Sequence, residues 1–307
     1  MDCAHKAMRR IRNVKPGGEL KLLLVRTRQD CPFLRPDREG NVNRLVLGAL
    51  AQAQKIVPLR LLGFTVLPHE VRLFAWPRDT AEMRDFMHHL DTNLSKEVGR
   101  LDDVRQSGGF WRDRYRCIDV SDAPEDQVAC LKQLLAAPCE ALFVERPGGW
   151  PGVHCLGALL RGESLRGVWH DRTHDTVEEL EVRLTPLPCW GSLREKQRRA
   201  EVAKLTRAVE EERARDRERS GTRACGARAV LELDPRQGPE EVPRWSTPAV
   251  CSLCEATRRR LRHAYEELLA AYRSAAESLR RTNPDFGFPP GTFPPPLPYV
   301  GPLGEPP

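Results

Sequence analysis

The stretch Leu61-Leu62-Gly63-Phe64-Thr65-Val66-Leu67-Pro68-His69-Glu70-Val71-Arg72-Leu73-Phe74 sets the fold class. Its apolar run is broken at Pro68, which has no N–H to donate, so the stretch reads as two β-strands meeting in a tight turn. In the second strand polar and apolar residues alternate. Side chains in a strand point to opposite faces in turn, so Glu70 and Arg72 share one face and Val71 and Leu73 the other.

Outward from this pair, residues 20–28 (Leu-Lys-Leu-Leu-Leu-Val-Arg-Thr-Arg) predict a strand, and residues 41–56 carry apolar side chains at helical spacing, among them Leu45, Leu47, Leu50 and Ala53. The central pair spans 58–66 and 69–76. An amphipathic helix follows over 80–98, with Met83, Phe86, Met87, Leu90 and Leu94 on one face. A turn at Ser107-Gly108-Gly109 leads into a strand over 110–120. A helix over 124–136 should stop before Pro138. The order β-α-β-β-α-β-α predicts an α+β fold, a ferredoxin-like antiparallel sheet with helices on one face. A short helix over 153–160 and a strand near 167–169 should complete a domain spanning 18–188.

The remainder has a different character. Residues 191–220 read as a highly charged helix opened by a Ser192–Glu195 capping box, and 221–250 as a linker or long loop. Residues 256–281 form a second long helix with a stripe of Leu261, Ala264, Tyr265, Leu268, Leu269, Tyr272, Ala276 and Leu279. Together 191–282 make a helical C-terminal extension whose two long helices could pair as a hairpin. Residues 283–307 are a Pro-rich, extended tail, with Phe286, Phe288, Phe293 and Tyr299 as candidate anchors.

Bulk properties narrow the function classes. Hydrophobic residues make up 40% of the 307 and charged residues 30%, enough for a core in part of the chain. The net charge of +6 suits an acidic partner such as nucleic acid. The ten cysteines are scattered, and Cys117, Cys130 and Cys155 lie in apolar periodic segments, which points to free thiols in a reducing compartment. The first fifteen residues have no apolar core of a secretory signal, and no run approaches a membrane span, so a cytoplasmic protein with no membrane partner is expected.

Four blocks, in order across about residues 20–160, resemble the REP-associated tyrosine transposases of the HUH single-tyrosine family. The first is 67–74, similar to that family's Met-Pro-Asn-His-x-His-Leu-Leu signature. The second is the helix of 83–100. The third is Gly109-Phe110-Trp111-Arg112-Asp113-Arg114-Tyr115-Arg116, similar to Phe-Trp-x-x-Arg-Tyr. The fourth runs from Gln133-Leu134-Leu135 to Val144-Glu145-Arg146-Pro147-Gly148-Gly149-Trp150-Pro151. The resemblance implies a nucleophilic tyrosine that attacks a DNA phosphodiester. It also implies a divalent metal, Mg or Mn, held by two strand histidines and a residue one helical turn after the tyrosine. In this chain Glu70 and Arg72 stand at the histidine positions, Gln133 at the tyrosine and Ala137 at the third ligand. A Gln amide is no nucleophile and an arginine repels a metal. A DNA-binding relative without strand transfer is therefore expected, with no metal and no cofactor, its partner single-stranded or hairpin DNA.

Arg112, Arg114 and Arg116 alternate along the expected strand and would share one face, with Trp111 beside them as a stacking platform; these four are the candidate DNA contacts. The other reading is a solvated sheet face. His69 and Glu70 point to opposite faces and cannot chelate together, so His69 is read as capping the turn after Pro68. Tyr115, in a strand, reads as a packing residue. Cys251-x-x-Cys254, even with Cys225 and His263, matches no common zinc spacing and reads as a thiol pair. The helix of 194–219 balances its bases with glutamates and reads as a solvated face, whereas Arg258, Arg259, Arg260 and Arg262 are less balanced and could touch DNA. Two further readings stand beside the preferred one: an active transposase or nickase with a rearranged site, and the fold reused as a protein-interaction module. The sequence allows a homodimer without requiring one.

Overall fold

In a computed structural model of the chain, residues 20–101, 109–239, 250–280, 287–290 and 292 are described. The first seven elements are β1 (Leu20–Arg26), α1 (Asn41–Ile56), β2 (Arg60–Leu67), β3 (Glu70–Trp76), α2 (Thr80–Glu97), β4 (Arg116–Val120) and α3 (Pro124–Glu140). They are followed by α4 (Leu156–Arg161), β5 (Arg166–Asp171), β6 (Thr176–Glu181), α5 (Glu195–Ser220), α6 (Ala227–Leu231), β7 (Val250–Cys251) and α7 (Glu255–Arg280). The main sheet has the order β2-β3-β1-β4-β7. Neighbours among its first four strands run antiparallel and β7 adds in parallel at the β4 edge. This is the α+β, ferredoxin-like arrangement expected from the order of elements, but helices cover both faces of the sheet and not the single face expected.

The two faces of the sheet carry different helices. On one, α1 packs against α2, and Cys117 of β4 meets Met83 of α2 with Sγ 3.7 Å from Sδ. On the other lies α3. Thr65 of β2, in register with Arg72 of β3, donates its hydroxyl to the carbonyl of Leu134 at 2.8 Å. Leu23, Phe64, Leu73, Phe86, Leu90 and Leu131 are among the fully buried side chains of one continuous core. Lys21 is buried in the middle of the sheet and ion-paired to Asp119.

Three local expectations are corrected. First, α3 does not stop before Pro138 but runs through it to Glu140. A proline in a helix leaves the carbonyl four residues earlier without its N–H donor. That carbonyl is Leu134's, and Thr65 supplies the missing hydrogen bond. Second, the strand expected over 110–120 forms only from Arg116. Before it, Trp111 makes an isolated bridge to Thr27 and residues 112–114 are bends. Beyond Thr27 the chain turns through two consecutive left-handed residues, Gln29 and Asp30 (φ 51° and 53°), so β1 has no further partner to offer. Third, α5 begins at Glu195 behind Arg194, whose N–H bonds the Gln197 side chain at 2.8 Å, so the Ser192–Glu195 box is not its cap.

The strand near 167–169 exists as β5, but it pairs with β6, which the sequence reading missed, in a separate hairpin laid on α1. Backbones touch there. A Cβ on Gly48 would overlap the Val168 carbonyl, and one on Gly167 would overlap the Gly48 nitrogen. The helix α5 packs along α3 and α4 through buried Val202, Thr206 and Val209, rather than forming a hairpin with α7. Within the stretch read as a loop, α6 buries Val230 against Leu67, Ala137, Val144 and Trp150. Phe288 rests on Tyr272 of α7, ring centroids 5.3 Å apart, while Phe286, Phe293 and Tyr299 lie outside the described residues. No described helix is long and apolar enough to cross a membrane.

Candidate nucleic-acid interface

Antiparallel register builds the site. Thr65, Arg72, Leu24 and Arg116 are consecutive partners across β2, β3, β1 and β4, and so share the face that α3 partly covers. Arg72 and Arg116 flank half-buried Leu24, their backbones two strands apart, about 9.5 Å. The next row toward the turn pairs Leu67 with Glu70 and Glu70 with Arg26.

Glu70 is 1% exposed and fully engaged. Its Oε1 accepts from Arg72 Nε at 2.5 Å and its Oε2 from Arg26 Nε at 2.7 Å, while Arg26 Nη2 stands in ion-pair contact with Oε2 at 2.6 Å. Arg26 Nη1 then reaches Asp30 Oδ2 at 3.3 Å, and Arg112 Nη1 stands 3.8 Å from Asp30 Oδ1. The result is a chain, Arg72–Glu70–Arg26–Asp30–Arg112, of three guanidiniums and two carboxylates with one positive charge left over. Burial pushes the Glu70 carboxyl up, but Arg72 and Arg26 outweigh it and hold it below its ordinary value. His69 is displaced downward, chiefly by burial, with Glu70 opposing. The His69 carbonyl accepts from the Thr27 N–H at 3.0 Å and hydroxyl at 3.2 Å, closing the turn after Pro68 onto β1.

On α3, Ala137 is buried against Leu67, one strand position from Glu70, whereas Gln133 is exposed. Of the four positions singled out from the sequence, 70 and 72 share one face of β3, Ala137 packs on Leu67, the cross-strand partner of Glu70, and Gln133 is exposed on α3. A divalent cation does not fit this donor set. Both Glu70 oxygens are spent on guanidiniums, Arg72 is itself a cation and Ala137 has no donor. Among the described residues no three histidine, cysteine, aspartate or glutamate side chains cluster as metal ligands. Tyr115 is 6% exposed, within the core.

The expected arginine stripe on one strand face is not formed, since only Arg116 lies in β4; Arg114 is exposed in a bend, and Arg112 turns to Asp30. Trp111 is half-buried, its Nε1 donating to the Asp91 carbonyl at 2.8 Å and its ring set edge-on to Phe110 with centroids 4.7 Å apart, so it is pinned to α2. The sequence reading missed Arg26 and Asp30. The alternation Leu22, Leu24, Arg26 along β1 placed Arg26 on the face of Glu70, but only the pairing of β1 with β3 made them neighbours. In the extension, Cys225 is exposed beside the Phe143 carbonyl, His263 pairs with Glu267 at 3.6 Å, and the described cysteines are free thiols; the Cys251 side chain lies outside the described residues.

Among the solved structures that resemble the chain are two transposases. One is a REP-associated tyrosine transposase bound to a REP hairpin, at 13% identity and TM-score 0.37, covering 51% of this chain and 87% of that one. The other is a transposase candidate from Deinococcus radiodurans R1, at 19% identity and TM-score 0.29, covering 36% and 86%. No family model and no curated protein matches.

Proposed function

We propose that the chain is a DNA-binding relative of the single-tyrosine transposases that no longer performs strand transfer. The observation that carries this is the closed Arg26–Glu70–Arg72 cluster at the place where the resemblance calls for a metal-holding pair. Strand transfer needs a nucleophile and a polarised phosphate. Position 133 offers an amide, and positions 70, 72 and 137 offer an ion pair and a methyl group. What remains on the same sheet face is a set of arginines, Arg26, Arg72 and Arg116, with Arg112 and Arg114 at its end. Guanidiniums on a rigid sheet suit phosphate recognition. The substrate class is single-stranded or hairpin DNA, by analogy with what the first solved structure binds.

The test is incubation of the full chain with labelled hairpin single strands and Mg²⁺ or Mn²⁺, followed by native and denaturing gels. A salt-sensitive native shift without any band surviving denaturation is expected. A metal-dependent covalent adduct would show an active nickase instead, and absence of any shift at low salt would leave the fold as a protein-interaction module.

A further inference from the structure

The buried cluster does more than fill the place of a metal. Glu70 grips Arg72 through Nε alone, and among the described residues Nη1 and Nη2 form no hydrogen bond. The Arg72 side chain is 17% exposed, so this free edge is oriented but reaches solvent. Glu70 is shared with Arg26, and the chain of Arg72, Glu70, Arg26, Asp30 and Arg112 keeps one positive charge, so the clamp positions Arg72 within a cluster that stays net positive. Thr65, the cross-strand neighbour on β2, turns its hydroxyl away to Leu134, and Leu24 on the other side is apolar, so nothing in that row competes for the guanidinium. A planar fork with both terminal nitrogens open is the geometry that takes a phosphate through two parallel hydrogen bonds.

We infer that Arg72, clamped by Glu70 and Arg26, is a preorganised, metal-independent seat for one phosphate group. For the phosphate of a DNA strand the inference rests on the function proposed above; for phosphate as such it stands on the geometry. A fixed guanidinium then supplies the positive charge beside a phosphodiester, and it binds that group without activating it. Binding should be indifferent to chelators. It should also depend on the shape of the side chain as well as its charge, because a lysine ammonium offers no fork and cannot hold the Glu70 clamp in the same way.

The experiment follows the arginine Nε–H signals of the ¹⁵N-labelled full chain by NMR during titration with inorganic phosphate in EDTA, alongside hairpin-DNA affinity measured with and without Mg²⁺. The Arg72 signal should move saturably with phosphate. Arg72→Lys should weaken both phosphate and hairpin binding by about tenfold, equally in EDTA and in Mg²⁺. Arg84→Lys, an exposed site on α2, should change neither. No phosphate-dependent shift of Arg72, or an Arg72→Lys protein that binds phosphate as the parent does, overturns the seat. Hairpin binding that persists in that case keeps the DNA reading while the seat falls. Phosphate binding at Arg72 without hairpin binding at any salt keeps the seat while the DNA reading falls.

Discussion

Glu70 joins two strands and two arginines through a single buried carboxylate, and removing it strands the charges it compensates. Glu70→Ala should therefore lower stability by about 3–5 kcal/mol, the usual cost of breaking a buried pair from one side, measured by urea unfolding at pH 7. Its pH dependence has a definite sign. The folded-state value of Glu70 is depressed, so its contribution is complete above the unfolded value of 4.5 and is lost as pH falls through the depressed folded value. His154 acts at higher pH. Its Nε2 is enclosed without a hydrogen-bond partner, and burial pushes the ring from 6.5 down to about 4. Between those values the unfolded chain takes up a proton that the folded one refuses, so stability falls as pH drops from about 6.5 to about 4, by roughly 3 kcal/mol. His154→Gln should flatten that segment of the stability–pH curve and leave the acid limb below it in place.

The helix α3 and the hairpin on α1 depend on exceptions that ordinary propensity rules do not anticipate. Thr65 and Pro138 are coupled through the Leu134 carbonyl, which one cannot serve and the other does. Thr65→Val should cost about 1–2 kcal/mol by orphaning a buried acceptor. In a Pro138→Ala background, which restores the backbone donor, the same change should cost markedly less. A double-mutant cycle in urea reads the coupling directly, and additive costs would dissolve the link. At the other face, Gly48→Ala forces a methyl group into the Val168 carbonyl. It should destabilise by about 2 kcal/mol or more, with the loss of amide protection concentrated in β5 and β6. These elements show how much was readable. The first five elements follow period and breaker residues, whereas the strand order rests on the pairing of β1 with β3 and β4. The span of α3 past Pro138, the shortened β4 and the second hairpin strand β6 rest on hydrogen bonds and contacts made by residues far away in the chain.

The molecule as a whole carries its basic groups in two settings. Along α5 the bases find acids, as in Arg199–Glu195, Lys204–Glu201 and Arg213–Asp216, and Glu212 takes Lys132 of α3, whereas on the sheet face of Arg72 arginines outnumber carboxylates. Hairpin affinity should therefore fall steeply with salt. Replacing Arg112, Arg114 and Arg116 by Ala should weaken binding and flatten the slope of log K against log[salt] by up to about 3 in magnitude if each meets one phosphate. A variant whose slope matches the parent's would make these arginines a solvated face. Gln133→Tyr alone should yield no covalent adduct on a denaturing gel, because nothing at positions 70, 72 and 137 can hold the metal that polarises the phosphate.

The division between what was legible early and what was not has a physical cause. Alternation in 69–76, helical spacing in 41–56 and 80–98 and the breaks at Pro68 and Gly109 are local properties of the chain, and they suffice for an α+β sheet and for the shared face of Glu70 and Arg72. The sequence also shows that the positions a metal would need hold Glu70, Arg72, Gln133 and Ala137. Everything that gives those residues their present chemistry comes from strands far apart in the chain. Arg26 meets Glu70 only because β1 pairs with β3, Asp30 joins them only because the chain turns sharply after Thr27, and Arg116 faces Arg72 only across β1. Periodicity tells which face a side chain takes, but only the register between strands decides which charges stand within bonding distance.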